Sequence, residues 1–217
     1  LSADVFPTPE SNDSADAWCF SPKQYLSGRY GSPRSLNNVC FPEERLCRDE
    51  LGDYRPKTRP EVGDLVITEV MANPSAADDR LGEWFEIYAR HGVDLNDIVV
   101  VSNETENPPL GVSACLHLAE GARAVFARSE AAKARLPRVD HTFETSLVNT
   151  VERLSLQYAG TELDSIAWDT TSPGVSWMLD PDHRSAEGND VPQNWCFERA
   201  PATNGDIASP GVLNSDC

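Results

Sequence analysis

The first forty residues of this 217-residue chain recur, without a gap, as the last forty. A shift of 177 positions lays 1–40 on 178–217, with twelve identities. They are Glu10/Glu187, Asn12/Asn189, Asp13/Asp190, Trp18/Trp195, Cys19/Cys196, Phe20/Phe197, Gly28/Gly205, Ser32/Ser209, Pro33/Pro210, Leu36/Leu213, Asn37/Asn214 and Cys40/Cys217. Both copies read N-D-x4-W-C-F and then G-x3-S-P-x2-L-N-x2-C. A repeat of this size constrains the fold more than composition does, because each copy has to be the same structural unit. If 178–217 finishes one domain, 1–40 is expected to be the C-terminal piece of a preceding repeat. The competing expectation is one enlarged domain on which the opening segment packs. In either case a piece exposing Trp18 and Phe20 calls for a docking surface.

Cysteines stand at 19, 40, 47, 115, 196 and 217, with no C-x-x-C, so neither a zinc site nor a dithiol redox motif fits. Six cysteines allow fifteen connectivities. The equal spacing in the two copies makes Cys19 with Cys40 and Cys196 with Cys217 the natural bridges, which leaves Cys47 for Cys115. Closing a loop of about twenty residues removes on the order of 3 kcal/mol of unfolded-state freedom, a structural role. Such bridges imply an oxidising compartment, so the chain is expected to be exported, extracellular or in the cell envelope, with its signal removed or upstream. No apolar run is long enough to span a bilayer.

With 18 Lys+Arg against 35 Asp+Glu, the net charge is −17. That surface disfavours nucleic acid, whose affinity for proteins comes largely from cations on phosphates. It suits solubility or, more specifically, Ca²⁺.

Between the repeats, 41–62 reads as a connector tied down by Cys47, with a short helix over Glu43–Leu51 opened by Pro42 and stopped by Gly52. From Gly63 onward short strands alternate with turn residues, the pattern of an all-β sandwich over 63–217. Strands are expected over Asp64–Met71, Glu83–Ala89, Ile98–Ser102, Val112–Leu118, Ala122–Ala127, Arg153–Tyr158, Glu162–Trp168, Val175–Leu179 and Trp195–Glu198. Alternation within Glu83–Ala89 puts Trp84, Glu86 and Tyr88 on one face and Glu83, Phe85 and Ile87 on the other, one of which must be core. Ala159-Gly160-Thr161 reads as a hairpin turn. The one short helix of this body is expected over Ser129–Leu136, capped by Ser129 and stopped before Pro137.

The ordered string G-D-L-V-I-T-E-V-M-x-N-P (63–74), G-E-W-F-E-I-Y (82–88) and D-L-N-D (94–97) resembles the opening of the lamin tail domain. T-S-L-V-N-T-V-E-R-L-S-L (145–156), L-D-S-I-A-W (163–168), S-W-M-L-D (176–180), N-W-C (194–196) and S-P-G-x2-N-x2-C (209–217) continue the resemblance in order. It implies an immunoglobulin-like β-sandwich. In animals this family forms the tail of nuclear lamins, and in bacteria it is a module of exported or surface proteins, often beside hydrolases, nucleases or adhesion-type domains. The cysteines favour the bacterial exported kind. The absence of coiled-coil heptads around Cys47 argues against a filament role.

No catalytic constellation is present. The histidines, His91, His117, His141 and His183, are isolated, no H-E-x-x-H, G-x-S-x-G, Walker or G-x-G-x-x-G motif occurs, and oxidised cysteines leave no thiolate. Glu83 and Glu86 lie on opposite strand faces, unsuited to joint acid–base work, and one of them is expected to bond backbone at the sandwich edge. Candidate calcium oxygens are Asp78 and Asp79 before Glu83, and Asp180, Asp182, Asn189 and Asp190 around the last strands, without an EF-hand loop. Asn12-Asp13 and Asn189-Asp190 are expected to shape turns. Trp84, Trp168, Trp177 and Trp195 are either core or a sugar-stacking platform, with core favoured.

Three functions are compatible with these features. The first is a non-catalytic binding or structural module in a tandem array, offering disulfide-stapled surfaces to a protein or glycan. The second is an accessory domain of a larger secreted hydrolase or nuclease whose active site lies outside these residues. A calcium-stiffened adhesin is the third.

Overall fold

A computed structural model describes residues 2–3, 8–37, 39–40, 43–111, 113–202 and 205–217. The chain divides into two compact units, Leu1–Thr58 with Val112–Leu116 and Arg59–Gly111 with His117–Cys217.

In the smaller unit, helix α1 (Pro9–Asn12) and a 3-10 turn (Ala15–Ala17) lead into Trp18. Strands β1 (Gln24–Leu26) and β2 (Arg29–Tyr30) pair across Gly28, whose φ of +70° is the left-handed conformation glycine tolerates best. A second hairpin pairs β3 (Leu46–Arg48) with β4 (Tyr54–Pro56). It packs on the first through Tyr54 N–H to Pro22 O at 2.7 Å, Gln24 N–H to Asp53 Oδ1 at 2.7 Å and the Tyr30 hydroxyl to Gly52 O at 2.9 Å. The Cys47–Cys115 disulfide fastens 113–116 to β3, where Arg48 N–H donates to Ser113 O and Cys115 N–H to Arg48 O. This pairing corrects two expectations. The helix over Glu43–Leu51 is only a 3-10 turn at Glu43–Arg45 before β3 begins, and Pro42 lies outside the described residues. A short segment gains too little from helix propensity to resist a disulfide and a strand ladder. The strand over Val112–Leu118 shrinks to His117–Leu118, because 113–116 pair with β3 instead; Val112 is outside the described residues.

The larger unit is an all-β sandwich. Its strands are β5 (Leu65–Met71), β6 (Trp84–Ala89), β7 (Val93–Asp94), β8 (Ile98–Ser102), β9 (Thr105–Glu106), β10 (His117–Leu118), β11 (Arg123–Ala127), β12 (His141–Thr142), β13 (Glu152–Tyr158), β14 (Thr161–Trp168), β15 (Trp177–Leu179) and β16 (Trp195–Phe197). One sheet has the order β12-β11-β6-β5-β15-β16, the other β14-β13-β8-β9, and β7 pairs with β10. Ala159 and Gly160, with φ of +49° and +77°, make the two-residue turn between β13 and β14, so Thr161 already belongs to the strand.

Both faces of β6 are buried, not one. Phe85 stacks on Phe126 at 4.8 Å and meets Phe143 at 5.4 Å on the face shared with Ile87. On the opposite face Trp84 joins Met71, Val125, Ala127, Ala132, Leu136 and Ala208 in a second apolar cluster. Ala132 comes from the segment expected to be a helix, which forms only a 3-10 turn, Glu130–Ala134. The Ser129 hydroxyl donates to Arg80 O at 2.7 Å and caps nothing, because at five residues the turn is set by seating Ala132 and Leu136 in this cluster.

A bulge decides what else lies on that second face. β5 pairs with β6 as Ile67↔Ile87 and then Glu69↔Glu86, so Thr68 is the extra residue. The insertion turns Glu69 to the side of Glu86 and Trp84, and away from the face of Ile67 and Phe85.

Candidate functional site

Glu69 and Glu86, opposite one another on β5 and β6, are both fully buried beneath the coil 206–215. They act as acceptors for that coil. Ser209 N–H donates to Glu69 Oε1 at 2.8 Å and Gly211 N–H to Glu86 Oε2 at 2.8 Å. The Ser176 hydroxyl adds 2.5 Å to Glu69 Oε1 and the Thr68 hydroxyl 2.8 Å to Glu86 Oε1. Glu198 collects Arg199 N–H at 2.6 Å, Ala200 N–H at 2.9 Å and the Ser215 hydroxyl at 2.5 Å. Asn214 completes the seam, its amide donating to Thr68 O and Leu179 O at 2.9 Å each. A coil cannot supply its own ladder, so buried carboxylates take the place of strand carbonyls.

The Ser209 hydroxyl lies 2.9 Å from Glu69 Oε2 and 2.8 Å from Glu198 Oε2. One hydroxyl proton cannot serve two carboxylates, so one acid keeps its proton. Burial pushes Glu69 up to about 7, and the nearby Glu198 charge adds to the rise. Burial also pushes Glu198 upward, but its donors, the Ser215 hydroxyl first and then Ala200 and Arg199 N–H, outweigh that and bring it down to about 2. Glu69 is therefore the protonated partner, donating to Ser209, which donates to Glu198. Glu86 is raised to about 8 by burial and then by Glu69, despite Arg123 Nε at 3.2 Å.

Glu83, just before β6, serves the other face. It pairs with Arg128 Nη1 at 3.0 Å and accepts Leu147 N–H and the Ser146 hydroxyl at 3.1 Å each, while burial pushes it up to about 7. Glu83 and Glu86 thus work apart, each bonding backbone. Asp164 on β14 accepts Ile67 N–H and the Asn189 amide, both at 2.7 Å, and burial pushes it up to about 7. Asn189 therefore does not shape a local turn: its amide reaches across to Asp164, because burial rewards closing that acid's shell.

The candidate calcium oxygens have other duties. Asp78 caps α2 (Asp79–Gly82), accepting Leu81 N–H at 3.2 Å, and Asp79 is that helix's exposed first residue. Asp180 caps the 3-10 turn at 181–183 through Asp182 N–H at 2.9 Å and holds Cys217 N–H at 3.0 Å, two bonds that keep its carboxyl below the ordinary range. Asp182 is exposed within that turn, and Asp190 ends α3 (Ala186–Asn189). Among the described residues, none of these aspartates belongs to a group of three ligands close enough to share one ion. All six cysteines are bridged, Cys19–Cys40, Cys47–Cys115 and Cys196–Cys217. Three disulfides indicate an oxidising environment. No helix among the described residues is long and apolar enough to cross a membrane.

Of the tryptophans, Trp84, Trp168 and Trp195 are buried, and Trp177 is half-buried. Trp177 stacks on Trp195 with ring centroids 4.4 Å apart, and the pair walls a hollow of 200 Å³ that also meets Arg153, Asn189 and Asp190. This hollow joins an aromatic wall to a cation and an anion, and the hydroxyl that lines it, Ser165, accepts from Arg153 Nη2 at 3.0 Å. The sequence offered Trp177 and Trp195 as core or stacking residues with core favoured, and Trp195 is core. It did not single out Glu69, Asp164 or Glu198, although the repeated Asn, Ser and Asn mark where their partners lie. No protein-family model, curated protein or solved structure matches the chain.

Proposed function

We propose that this chain is a non-catalytic binding module of an exported or cell-surface bacterial protein, a lamin-tail-like, immunoglobulin-like sandwich in a tandem array that holds a protein or glycan partner. One observation carries the reading. The carboxyl groups with raised pKa, the usual source of acid–base chemistry, are enclosed and committed to holding backbone, Glu69 and Glu86 that of the closing coil, Glu83 that of Leu147 and Asp164 that of Ile67. What the sandwich offers to solvent is instead the hollow walled by Trp177 and Trp195, with Arg153 and Asp190 at its sides, a combination suited to stacking and hydrogen-bonding a sugar ring or a peptide side chain. The resemblance of 63–217 to lamin tails supports the module reading, and the disulfides support export.

The test is binding by the whole chain to purified envelope glycans and proteins, followed by tryptophan fluorescence, alongside turnover of generic ester, glycoside and nucleic-acid substrates. Saturable binding weakened at least tenfold by Trp177→Ala is the expected result. Turnover that disappears in Glu69→Gln or Glu86→Gln would overturn it.

A further inference from the structure

The two copies of the repeat fold alike down to single hydrogen bonds. Trp18 Nε1 donates to Asn12 O at 2.8 Å, and Trp195 Nε1 donates to Asn189 O at 2.7 Å. Ala17 N–H to Ser14 O matches Asn194 N–H to Val191 O, and Gly31 N–H to Lys23 O matches Ala208 N–H to Ala200 O. The Gln24↔Tyr30 pairing matches Pro201↔Ile207. Left-handed backbone falls at Gly28 and Arg34 in one copy and at Gly205 and Gly211 in the other.

Their surroundings differ. In the second copy β16 is laddered to β15, with Glu198 N–H on Ser176 O and Ile207 N–H on Gly174 O. Trp195 is 7% exposed there and Phe197 39%, whereas Trp18 is 50% exposed and Phe20 98%. In the first copy Trp18, Phe20, Ser32 and Asn37 line an open groove of 240 Å³. Their counterparts in the second copy are Trp195 and Phe197, which form or flank the β15 ladder, and Ser209 and Asn214, which bond Glu69, Thr68 O and Leu179 O.

We infer that the Trp18–Phe20 groove is the seat of the β15-type edge strand of a second sandwich, one that lies directly ahead of residue 2 and is closed by residues 2–40. The place of Ser2 fixes the source. Cys40 N–H donates to Ser2 Oγ and Ser2 N–H to Ala17 O, as Cys217 N–H donates to Asp180 Oδ2 and Asp180 N–H to Asn194 O, so Ser2 takes the place of Asp180 one residue ahead of Ala3, on which the gapless shift lays Asp180. Asp180 immediately follows β15, so the strand that fills the groove runs straight into Ser2. The chain's own β15 cannot fill it, because β16 already covers that edge. Partner recognition is strand addition, main-chain bonds giving affinity and the Trp and Phe pockets giving register. This inference rests on the tandem-array part of the proposed function and on nothing in its ligand.

Two altered chains test it. In the first, an extended chain, residues 59–179, with Cys115→Ser in the added copy, are fused directly ahead of Ser2 of the whole chain. Amide exchange at Ser21 and Tyr30, the places of Glu198 and Ile207, is expected to slow about 100-fold relative to the unextended chain. Trp18→Ala in the extended chain should abolish the slowing. In the second, a segment exchange, residues 9–40 replace 186–217 in the whole chain, and a cooperative melt is expected that a composition-matched shuffled segment does not give. An extended chain that folds with Ser21 and Tyr30 unprotected overturns the inference. If the extended chain does not fold, the segment exchange decides, and a melt no better than the shuffled control overturns it. Self-association of the unextended chain that protects Ser21 and is lost in Trp18→Ala also overturns it, assigning the groove to a second copy. Neither experiment reads ligand binding, so the binding role can fail while this stands, and the reverse.

Discussion

Replacing Asp164 by asparagine should flatten the pH dependence of stability. Asp164 is buried against Ile67 N–H and the Asn189 amide, and burial lifts it from an ordinary 3.8 to about 7. The folded chain therefore holds a proton that the unfolded chain releases, so this group's contribution to stability is complete below 3.8 and is lost as pH rises through about 7. Between pH 5 and pH 8 the loss is about 2–3 kcal/mol, because each tenfold difference in proton affinity between folded and unfolded chain is worth about 1.4 kcal/mol. Glu69, Glu83 and Glu86 are raised too and act with the same sign. His141 opposes them, because burial lowers its pKa and acid then favours the unfolded chain, while Glu198, held low, opposes them only below its ordinary 4.5. The parent should thus gain stability from pH 8 to pH 5. Asp164→Asn keeps an oxygen for both donors and removes the titration, so its stability relative to the parent should rise by about 2–3 kcal/mol from pH 5 to pH 8. Guanidinium unfolding followed by tryptophan fluorescence at several pH values measures that difference. A difference that stays constant across the range would refute the assignment of the raised group to Asp164.

Three further outcomes follow from the packing. Arg128→Ala strips the cation from buried Glu83 and should cost about 3 kcal/mol at pH 8 and clearly less at pH 5, where Glu83 can take a proton; urea melts at the two pH values check it. Gly82→Ala places a methyl 2.5 Å from Pro74 Cβ and 2.6 Å from its Cγ, and the melting temperature should fall by an amount equivalent to about 1–3 kcal/mol. Removing the Cys196–Cys217 bridge with paired alanines frees a loop of sequence separation 21, and denaturant unfolding should show a loss of about 3 kcal/mol.

Much of this fold was legible because it is written locally. Alternation and turn residues placed β8 without error and the hairpin around Ala159-Gly160 to within a residue, and equal spacing paired Cys19 with Cys40 and Cys196 with Cys217. What escaped is set by distant partners. The stretch from Glu43 to Leu51 looks helical until Cys47 is bridged to a residue 68 positions on. Burial of both faces of β6 depends on Ala132, Leu136 and Ala208 arriving from elsewhere in the chain. The acids at 69, 164 and 198 look like ordinary surface residues, since nothing near them in sequence announces Ser209, Asn189 or Ser215. The hollow beside Trp177 was half visible, in its tryptophans but not in Arg153, which the β13 register carries there.

The extra residue at Thr68 is the one position of β5 whose loss leaves the facing of its neighbours intact. Deleting that single position would close the ladder as Ile67↔Ile87 and Glu69↔Glu86, keeping the Glu69 carboxyl toward the coil and Val70 between the sheets, while removing the Thr68 hydroxyl from Glu86 and the Thr68 carbonyl from the Asn214 amide. Homologous chains should accordingly differ in whether they carry this residue more readily than in the count that follows it, and an engineered deletion of Thr68 should be less damaging than one of Val70, which would bring Met71 opposite Phe85 and reverse its face.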